Sequence, residues 1–450
     1  MKEIRDQWGS KIGFILAAAG SAVGLGNIWK FPYMVGENGG AAFILVYLIC
    51  VVIVGLPVLL AEILIGRTAQ KNPIGSFREL SNQSPFWIAV GGMGILAGFV
   101  ILSYYNIIAG WCIGYVVESI KGTFSSISNP AQAGEIFQQL SSSAPWTLGF
   151  QALFVLLTMS IIYFGVSYGI EKAAKVLMPV LITFIFILVI RGLTLPGAET
   201  GLIYLIKPDF SAIDGKTFLM ALGQAFFSLS LGMGAMLTYG SYLSKDEDLP
   251  KSIFQIVILN TKISLLAGLM FFPAIFAQGL EPQQGPALIF NVLPPLFNSI
   301  PAGGIFRVIF FLLLALAALT STISLMEVIT AYFTEEYDIS RRKITTLVGI
   351  FIFLLGIPSA LSFGALSDLT LFGKTFFELS DFFASNILLP LGGILISIFV
   401  GWKWGMEKAV PHLLDGANEY PTILLNIWEI LVKFVAPVLI SFVFIYKLFG

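Results

Sequence analysis

Two stretches of this chain break where a membrane-crossing helix would otherwise run through. One, Ala22-Val23-Gly24-Leu25-Gly26-Asn27, lies inside the first long apolar span. The other, Ser228-Leu229-Ser230-Leu231-Gly232-Met233-Gly234, lies inside the sixth. Each holds a Gly-x-Gly, and the two occupy matching places in the two halves of the chain. Hydrocarbon offers no water to backbone N–H and C=O groups, so a helix opened at that depth needs another partner for them. A bound ion or a charged small solute is the partner such an opening predicts.

The composition around the breaks supports the membrane setting. The chain has 450 residues, 57% hydrophobic and only 11% charged, with mean hydropathy +0.90. Those values exclude an ordinary soluble domain. A net charge of -1 supplies no basic field, so no nucleic-acid partner is expected. One histidine, His412, and two cysteines, Cys50 and Cys112, leave nothing for a zinc site or a disulfide framework. Both cysteines fall in apolar spans and read as packing residues. The N-terminus (Lys2, Glu3, Arg5, Asp6) is charged and has no small-residue cleavage site after the first span. That span is therefore expected to be retained and not removed as a signal peptide.

Windows of about 20 apolar residues, enough to cross hydrocarbon, occur eleven times. They lie near 12–35, 41–66, 87–120, 147–165, 168–190, 217–241, 252–278, 305–334, 343–358, 372–401 and 421–448. The N-terminus and the connections on its side carry fifteen Lys and Arg, from Lys2 to Lys408. The opposite side carries six (Lys121, Arg191, Lys207, Lys216, Arg307, Lys374). That bias predicts a cytoplasmic N-terminus in a multi-pass protein of the cell membrane, and eleven spans then put the C-terminus outside. Five spans precede the polar connection 191–216 and five follow it, so the second half enters the membrane from the opposite side. The expected fold is an all-α integral membrane protein built as an inverted 5+5 repeat, with discontinuous first and sixth helices. The expected parts are a cytoplasmic segment 1–11, a first repeat 12–190, an outer connection 191–216, a second repeat 217–401 and an accessory span 421–448. That last span reads as a packing or dimer helix in contact with membrane lipid. Monomer and dimer both remain open.

Around the first break, residues 17–26 hold three glycines in seven positions. Small residues alone are also what close helix packing uses. Each glycine weakens a helix by roughly 1 kcal/mol, so the cluster favours local unwinding. A half-helix restarting near Asn27 points its free amides and positive dipole end into the gap, a setting for a carboxylate. The Asn27 side-chain carbonyl is a hard-cation ligand type. Lys30-Phe31-Pro32 is expected to end the span with a cation toward the outside. Beside the second break stand Gln224, Phe227, Ser228 and Ser230, and the seventh span holds Asn260 among apolar residues. The eighth carries Thr320-Ser321-Thr322 and Ser324. Such hydroxyls usually bond back to the preceding turn. Two adjacent ones facing a cation are the alternative reading. Tyr104-Tyr105-Asn106 in the third span suggests one phenol donating into a cavity.

No Asp or Glu sits at either break. The oxygen donors are neutral, which suits Na⁺ or a solute bringing its own negative charge, whereas divalent metals want carboxylates or imidazoles. No nucleophile–base set is apparent, and no Gly-x-x-x-x-Gly-Lys-[Ser/Thr] run of an ATPase. An ion gradient is then the source of energy, and an enzyme is not expected. Glu62, Lys262, Glu327, Glu378 and Asp381 form a separate class of ionisable groups within or near spans, candidates for function unless they snorkel from helix ends. Snorkelling is the reading for Glu378. Lys30 with Asp381 is a candidate latch on the outer side, and Arg5 with Glu335 one on the inner side.

At these residues the chain strongly resembles the neurotransmitter:sodium symporter family. The matching stretches are Gly20 to Pro32 (GSAVGLGNIWKFP), Glu37-Asn-Gly-Gly40, Gly223 to Gly232 (GQAFFSLSLG) and Leu319-Thr-Ser-Thr322. The resemblance covers almost the whole chain and is strongest to the bacterial amino acid members. It implies a first Na⁺ site at Ala22, Asn27, Ser228 and Asn260, completed by the substrate carboxylate. It implies a second at Gly20, Val23, Ala317, Thr320 and Ser321. The substrate would meet Ala22, Gly24, Leu25, Gly26, Tyr105, Phe227, Ser228 and Ser230, with Ile101, Met233 and Leu325 around its side chain. Lys30 and Asp381 would form the outer gate, and Arg5 and Glu335 with Trp8 and Tyr242 the inner one. Gly169 and Pro179 bracket nine residues whose spacing marks local unwinding of the fifth span.

Three departures sharpen the expectation. Gly24 stands where monoamine members carry aspartate, so the substrate should supply its own carboxylate. Met233 between Gly232 and Gly234 suggests a pocket that adapts to bulky side chains. Ser264 stands where many bacterial members have glutamate. Tyr47, Gln224, Ser228, Asn260 and Ser264 then resemble a chloride site, although a buried acid elsewhere could substitute for chloride. The expected activity is Na⁺-coupled symport of neutral hydrophobic L-amino acids by alternating access. A betaine, a taurine-like solute and a channel or facilitator are the alternatives.

Overall fold

The fold, obtained as a computed structural model, is described for residues 6–279, 288–417 and 420–449. It is all-helical among those residues, apart from one isolated bridge between Leu371 and Lys374. Nine of the described helices are long and apolar enough to cross a membrane without interruption. They are Ala41–Ala69, Pro85–Lys121, Ala144–Ile162, Val166–Leu193, Leu249–Ala277, Gly303–Tyr337, Arg341–Leu361, Phe376–Leu414 and Thr422–Phe449. The pair Lys11–Ala22 and Gly26–Glu37, bent by 54° at its break, supplies the first span. Gly215–Ser228 and Ala235–Gly240 flank the break of the sixth.

Each broken span starts from a defined cap. The Ser10 hydroxyl accepts from the Gly13 amide at 3.1 Å and opens the first helix. Asp214 and Thr217 form a reciprocal capping box that opens the sixth. The Thr217 amide and hydroxyl hold the exposed Asp214 carboxyl below the ordinary carboxylate range. The first helix stops at Ala22 and the chain restarts as a π-helical turn, Gly26–Lys30. In the sixth, Ser230, Gly232 and Gly234 take φ of 54°, 79° and 74°. That run of left-handed residues cannot continue a right-handed helix.

Three details depart from the sequence reading. Lys30-Phe31-Pro32 does not end the first span, which runs on to Glu37. Pro32 falls in the first turn of the segment after the π turn, where no backbone N–H is required of it. The tenth span begins at Phe376 and not near 372, because Leu371–Lys374 forms a tight bridge before it. Glu378, read as a snorkelling group, instead closes a capping box with Thr375 at that start.

The third span organises the interior and makes its most extensive contact with the eighth. Gly94, Gly98, Ile101 and Tyr105 fall at helical spacing along it. A β-carbon on Gly94 would lie 3.3 Å from the Gly234 α-carbon, and one on Gly98 3.4 Å from the Leu325 carbonyl. The second break and the eighth span therefore pack on the same side of the third. The second span is pressed closely on the sixth: a β-carbon on Gly66 would collide with the Leu237 carbonyl oxygen, and one on Gly240 with the Ile63 carbonyl oxygen. Arg67 is fully buried and donates to the carbonyls of Glu247 (2.7 Å), Asp415 (3.3 Å) and His412, fastening two connections on the N-terminal face. Cys50 and Cys112 are both buried. Exposed apolar side chains such as Leu156, Ile190, Phe351 and Phe442 form an outer rim suited to lipid.

These contacts set the tolerance of the glycines. Gly66→Ala or Gly240→Ala should each lower stability by about 1–3 kcal/mol, since the added methyl meets backbone that cannot turn aside. Gly149→Ala, on the fourth span with open space around it, should be neutral or slightly stabilising. Thermal unfolding of the purified variants in one detergent measures the difference.

Candidate functional site

The first break leaves main-chain groups that neighbouring turns do not satisfy, and side chains from other spans meet several of them. The Leu25 amide donates to the Tyr105 hydroxyl at 3.2 Å. Gln224 Nε2 donates to the Gly26 carbonyl at 2.8 Å. The Ser21 carbonyl accepts from Ser230 at 2.9 Å and from Ser321 at 3.2 Å. The two breaks are thus tied directly to each other and to the third and eighth spans. Glycine is required at the centre: a β-carbon on Gly24 would stand 2.5 Å from Ser321 Oγ and 3.1 Å from the Tyr105 hydroxyl. One on Gly26 would stand 2.8 Å from the Phe227 ring. The small residues bring Ala22, Gly24, Leu25 and Gly26 against Tyr105, Phe227 and Ser321. Ile101, Met233 and Leu325 are buried, on the third span, in the second break and on the eighth span respectively.

A second group of polar side chains lies buried beside Gly26. Asn27 Nδ2 donates to Asn260 Oδ1 and to Ser264 Oγ, both at 2.8 Å. The Tyr47 hydroxyl stands 3.2 Å from Ser228 Oγ and 3.4 Å from Ser264 Oγ. Three buried polar atoms of this cluster have no hydrogen-bond partner among the described residues: Asn27 Oδ1, Gln224 Oε1 and Asn260 Nδ2. Leaving a buried carbonyl or amide unmatched costs about 1–3 kcal/mol. Two orphaned oxygens suit a cation, and an orphaned amide N–H beside two hydroxyls suits an anion.

The third group joins the first break to the eighth span. Thr320 Oγ1 lies 3.4 Å from the Val23 carbonyl and 2.9 Å from that of Ala317. Ser321 Oγ lies 3.4 Å from the Ala317 carbonyl. A β-carbon on Gly20 would touch Thr320 at 3.4 Å. The donors are carbonyls and hydroxyls only, a neutral set of the kind that holds a monovalent cation.

The gate candidates fall on opposite faces. On the face away from the N-terminus the Lys30 ammonium stands 4.5 Å from the centre of the Phe227 ring, a cation–π contact. Asp381 accepts from Ser385 Oγ at 3.0 Å. Among the ion pairs of the described residues, Lys30 and Asp381 are not joined. On the N-terminal face, Trp8 donates from Nε1 to the Tyr239 carbonyl at 2.9 Å and from its amide to the Tyr242 carbonyl at 3.2 Å. Glu335 accepts from the Asn72 amide at 2.7 Å. Arg5, the partner read for it, lies outside the described residues.

That face also uses residues the sequence reading missed. Tyr242 donates to Glu327 at 2.6 Å, and Arg341 pairs with the same carboxylate while donating from Nε to the Ile162 carbonyl at 2.8 Å. In the sequence Glu327 reads only as an ionisable group in a span, and nothing in the chain order points to Arg341 as its partner. Glu171 accepts from the Gly9 amide at 2.6 Å and from Ser10 Oγ at 2.8 Å. It ends the π-helical turn Val166–Glu171, which contains Gly169. The segment flagged by Gly169 and Pro179 is wound in this structure and pinned to the N-terminal strand of residues ahead of the first span. Ser324, one of the eighth-span hydroxyls noted in the sequence, accepts at 2.7 Å from Ser21, which the sequence reading does not single out.

This combination of two broken helices and neutral oxygen donors defines an ion-coupled membrane transporter. A profile of the sodium:neurotransmitter symporter family matches residues 5–145 and 137–450, and the chain belongs to that family. It is 42% identical over 439 residues to a sodium-dependent transporter of Bacillus subtilis, YhdH, covering 98% of this chain and 97% of that one. It is 39% identical to a sodium-dependent transporter of Haemophilus influenzae, covering 99% and 98%. The crystal structure of MhsT in complex with L-phenylalanine superposes with a TM-score of 0.89 at 46% identity, over 99% of this chain and all of that one. The protein is therefore a sodium-dependent symporter of the membrane, and the expected family and fold stand.

The buried pair on the N-terminal face is open to a stability test. Arg341→Gln should destabilise the protein by about 3–5 kcal/mol, because it leaves the Glu327 carboxylate buried with only Tyr242 beside it. Glu327→Gln combined with Arg341→Gln should recover part of that loss. Thermal unfolding of the two single variants and the double variant measures the coupling.

Proposed function

We propose that the chain imports neutral, hydrophobic L-amino acids together with Na⁺, by alternating access between the two faces. The observation carrying this reading is the buried Asn27 Oδ1, unpartnered among the described residues, placed next to the break where the Leu25 amide turns from its own helix to the Tyr105 hydroxyl. A cation ligand and a carboxylate seat side by side suit a Na⁺ and an amino acid that complete each other's coordination. In this reading Ala22, Asn27, Ser228 and Asn260 hold one Na⁺, and Gly20, Val23, Ala317, Thr320 and Ser321 hold another. The Leu25 amide and Tyr105 hydroxyl face the substrate carboxylate, and Ser230 with the carbonyls of Ala22 and Phe227 takes its ammonium. Phe227 covers the pocket, and Ile101, Met233 and Leu325 surround the side chain. The phenylalanine bound by the MhsT neighbour agrees with an apolar side chain.

Chloride belongs to the same proposal. Ser264 supplies no carboxylate, and the Tyr47 hydroxyl with Asn260 Nδ2 offers donors to an anion beside Ser228 and Gln224. The orientation proposed is a cytoplasmic N-terminus, so that Trp8, Tyr242 and Glu335 close the inner side and Lys30 and Asp381 the outer. Two Na⁺ entering at an inside-negative potential of about 100 mV would release roughly 4.6 kcal/mol before their concentration gradient is counted. That sum alone supports accumulation of more than about a thousandfold.

Uptake of labelled L-phenylalanine into proteoliposomes under an imposed Na⁺ gradient tests the reading. Sodium-dependent accumulation, competed by other hydrophobic amino acids and not by taurine, is expected; equilibration without Na⁺ would indicate a facilitator instead. Asn27→Ala should abolish the sodium-dependent part, and wild-type sodium dependence in that variant would remove its assigned role. Replacing chloride by gluconate should slow uptake if the anion cluster is used, and equal rates would remove chloride from the mechanism.

A further inference from the structure

The eleventh span lies outside both repeats, yet it brings a charge to the outer closure. Lys447 Nζ donates to the Ser385 carbonyl at 3.4 Å. Ser385 belongs to the π-helical turn Phe383–Leu388 of the tenth span, and its hydroxyl donates to Asp381. The stem of Lys447 runs along Gly223 of the sixth span: a β-carbon there would lie 3.8 Å from Cε and 4.0 Å from Nζ. Lys447 lines a cleft with Phe226, Phe227 and Leu389, where the sixth, tenth and eleventh spans meet. Phe227 is the ring over which the Lys30 ammonium stands. The Lys30 and Lys447 ammonium groups, from the first and the eleventh spans, thus both border Phe227 beside the turn that follows Asp381. A lysine that merely snorkels from a helix end turns its ammonium to water. This one turns inward, to a backbone carbonyl on the turn that holds Asp381.

We infer that Lys447 is a positioning residue of the outer closure, bracing the Asp381 segment through Ser385 and competing with Lys30 for the Asp381 charge. This rests on the transport reading, in which Lys30, Phe227 and Asp381 close over the substrate. With Lys447 charged, Asp381 is already partly compensated, and Lys30 stays on Phe227. Without that charge, Asp381 attracts Lys30 alone and the closure tightens. The eleventh span then sets how readily the outer side reopens, although it contributes no residue to the ion or substrate positions.

The test is the dissociation of labelled L-phenylalanine from the purified full-length protein in Na⁺, alongside uptake kinetics in proteoliposomes. Lys447→Met and Lys447→Gln should slow dissociation about fivefold, the size expected for one partly exposed charge interaction. KM and Vmax should fall together, and Lys447→Arg should restore the wild-type dissociation rate. Two charge-removing variants are used so that one folded, monodisperse sample suffices. A wild-type dissociation rate and KM in either of them would overturn the proposal, even if its melting temperature moved, because that is the pattern of packing alone. Wild-type protein that binds no phenylalanine in Na⁺ would overturn the transport reading first, before any substitution is compared.

Discussion

The hydrogen bond from the Leu25 amide to the Tyr105 hydroxyl does for the first break what no adjacent helical turn can do. Backbone opened inside a membrane must be satisfied from elsewhere in the protein. The third, sixth and eighth spans supply the missing partners through Tyr105, Gln224, Ser230 and Ser321. Each of these bonds requires its span to stand close to the break, and the glycines on the third span make that approach possible. The packing of the interior follows from the need to satisfy a few main-chain groups. The groups left unmatched, Asn27 Oδ1 foremost, are those with a proposed use.

The two breaks match in sequence but are satisfied differently. The second receives a carboxylate: Glu62 of the second span accepts from the Gly232 amide at 3.0 Å. The first is met only by neutral groups. An acidic side chain on one break and none on the other makes the pair chemically unequal, as a symmetric repeat would not be. In the proposed cycle, the uncharged break is the one that receives the cation and the zwitterion together. A carboxylate at Gly24 would compete with the substrate's own. The β-carbon that any such residue needs has no room beside Ser321 and Tyr105.

Much of this was legible in the chain before its fold was known. Apolar length gave the spans, and the paired Gly-x-Gly motifs located the breaks. Hydroxyl and amide residues near them marked the polar clusters that the fold assembles at Asn27 and at Thr320. Long-range pairing was not legible. Glu327 and Arg341 are fourteen residues apart on different helices, and their pairing depends on how the connection between those helices turns. Arg67 reads as one more cation in a connection on the N-terminal face, yet it is buried because three carbonyls from two distant connections converge on it. Pro32 reads as a terminator because sequence rules assume an α-helical turn before it. A π turn changes which amides need partners, and composition does not announce one.

The N-terminal face is closed by a different physical device from the breaks. Trp8 holds two carbonyls of the sixth span, Glu171 holds Gly9 and Ser10, and Ser167 Oγ donates to the Gln7 carbonyl at 2.6 Å. Each bond contributes about 1 kcal/mol net, but they join one short segment to the fifth and sixth spans at once. Such a segment is released in one step if a shared support gives way, and the turn Val166–Glu171 is that support. It follows Gly165, whose φ is 84°, and its Gly169 packs too tightly on Ile161 to accept a side chain. Ser167 and Glu171 both sit on this one turn, so unwinding it would move them together. The face therefore has many latches and one hinge. In the proposed transport cycle, that arrangement would let a local change in the fifth span open a path without disturbing the packing around the two breaks.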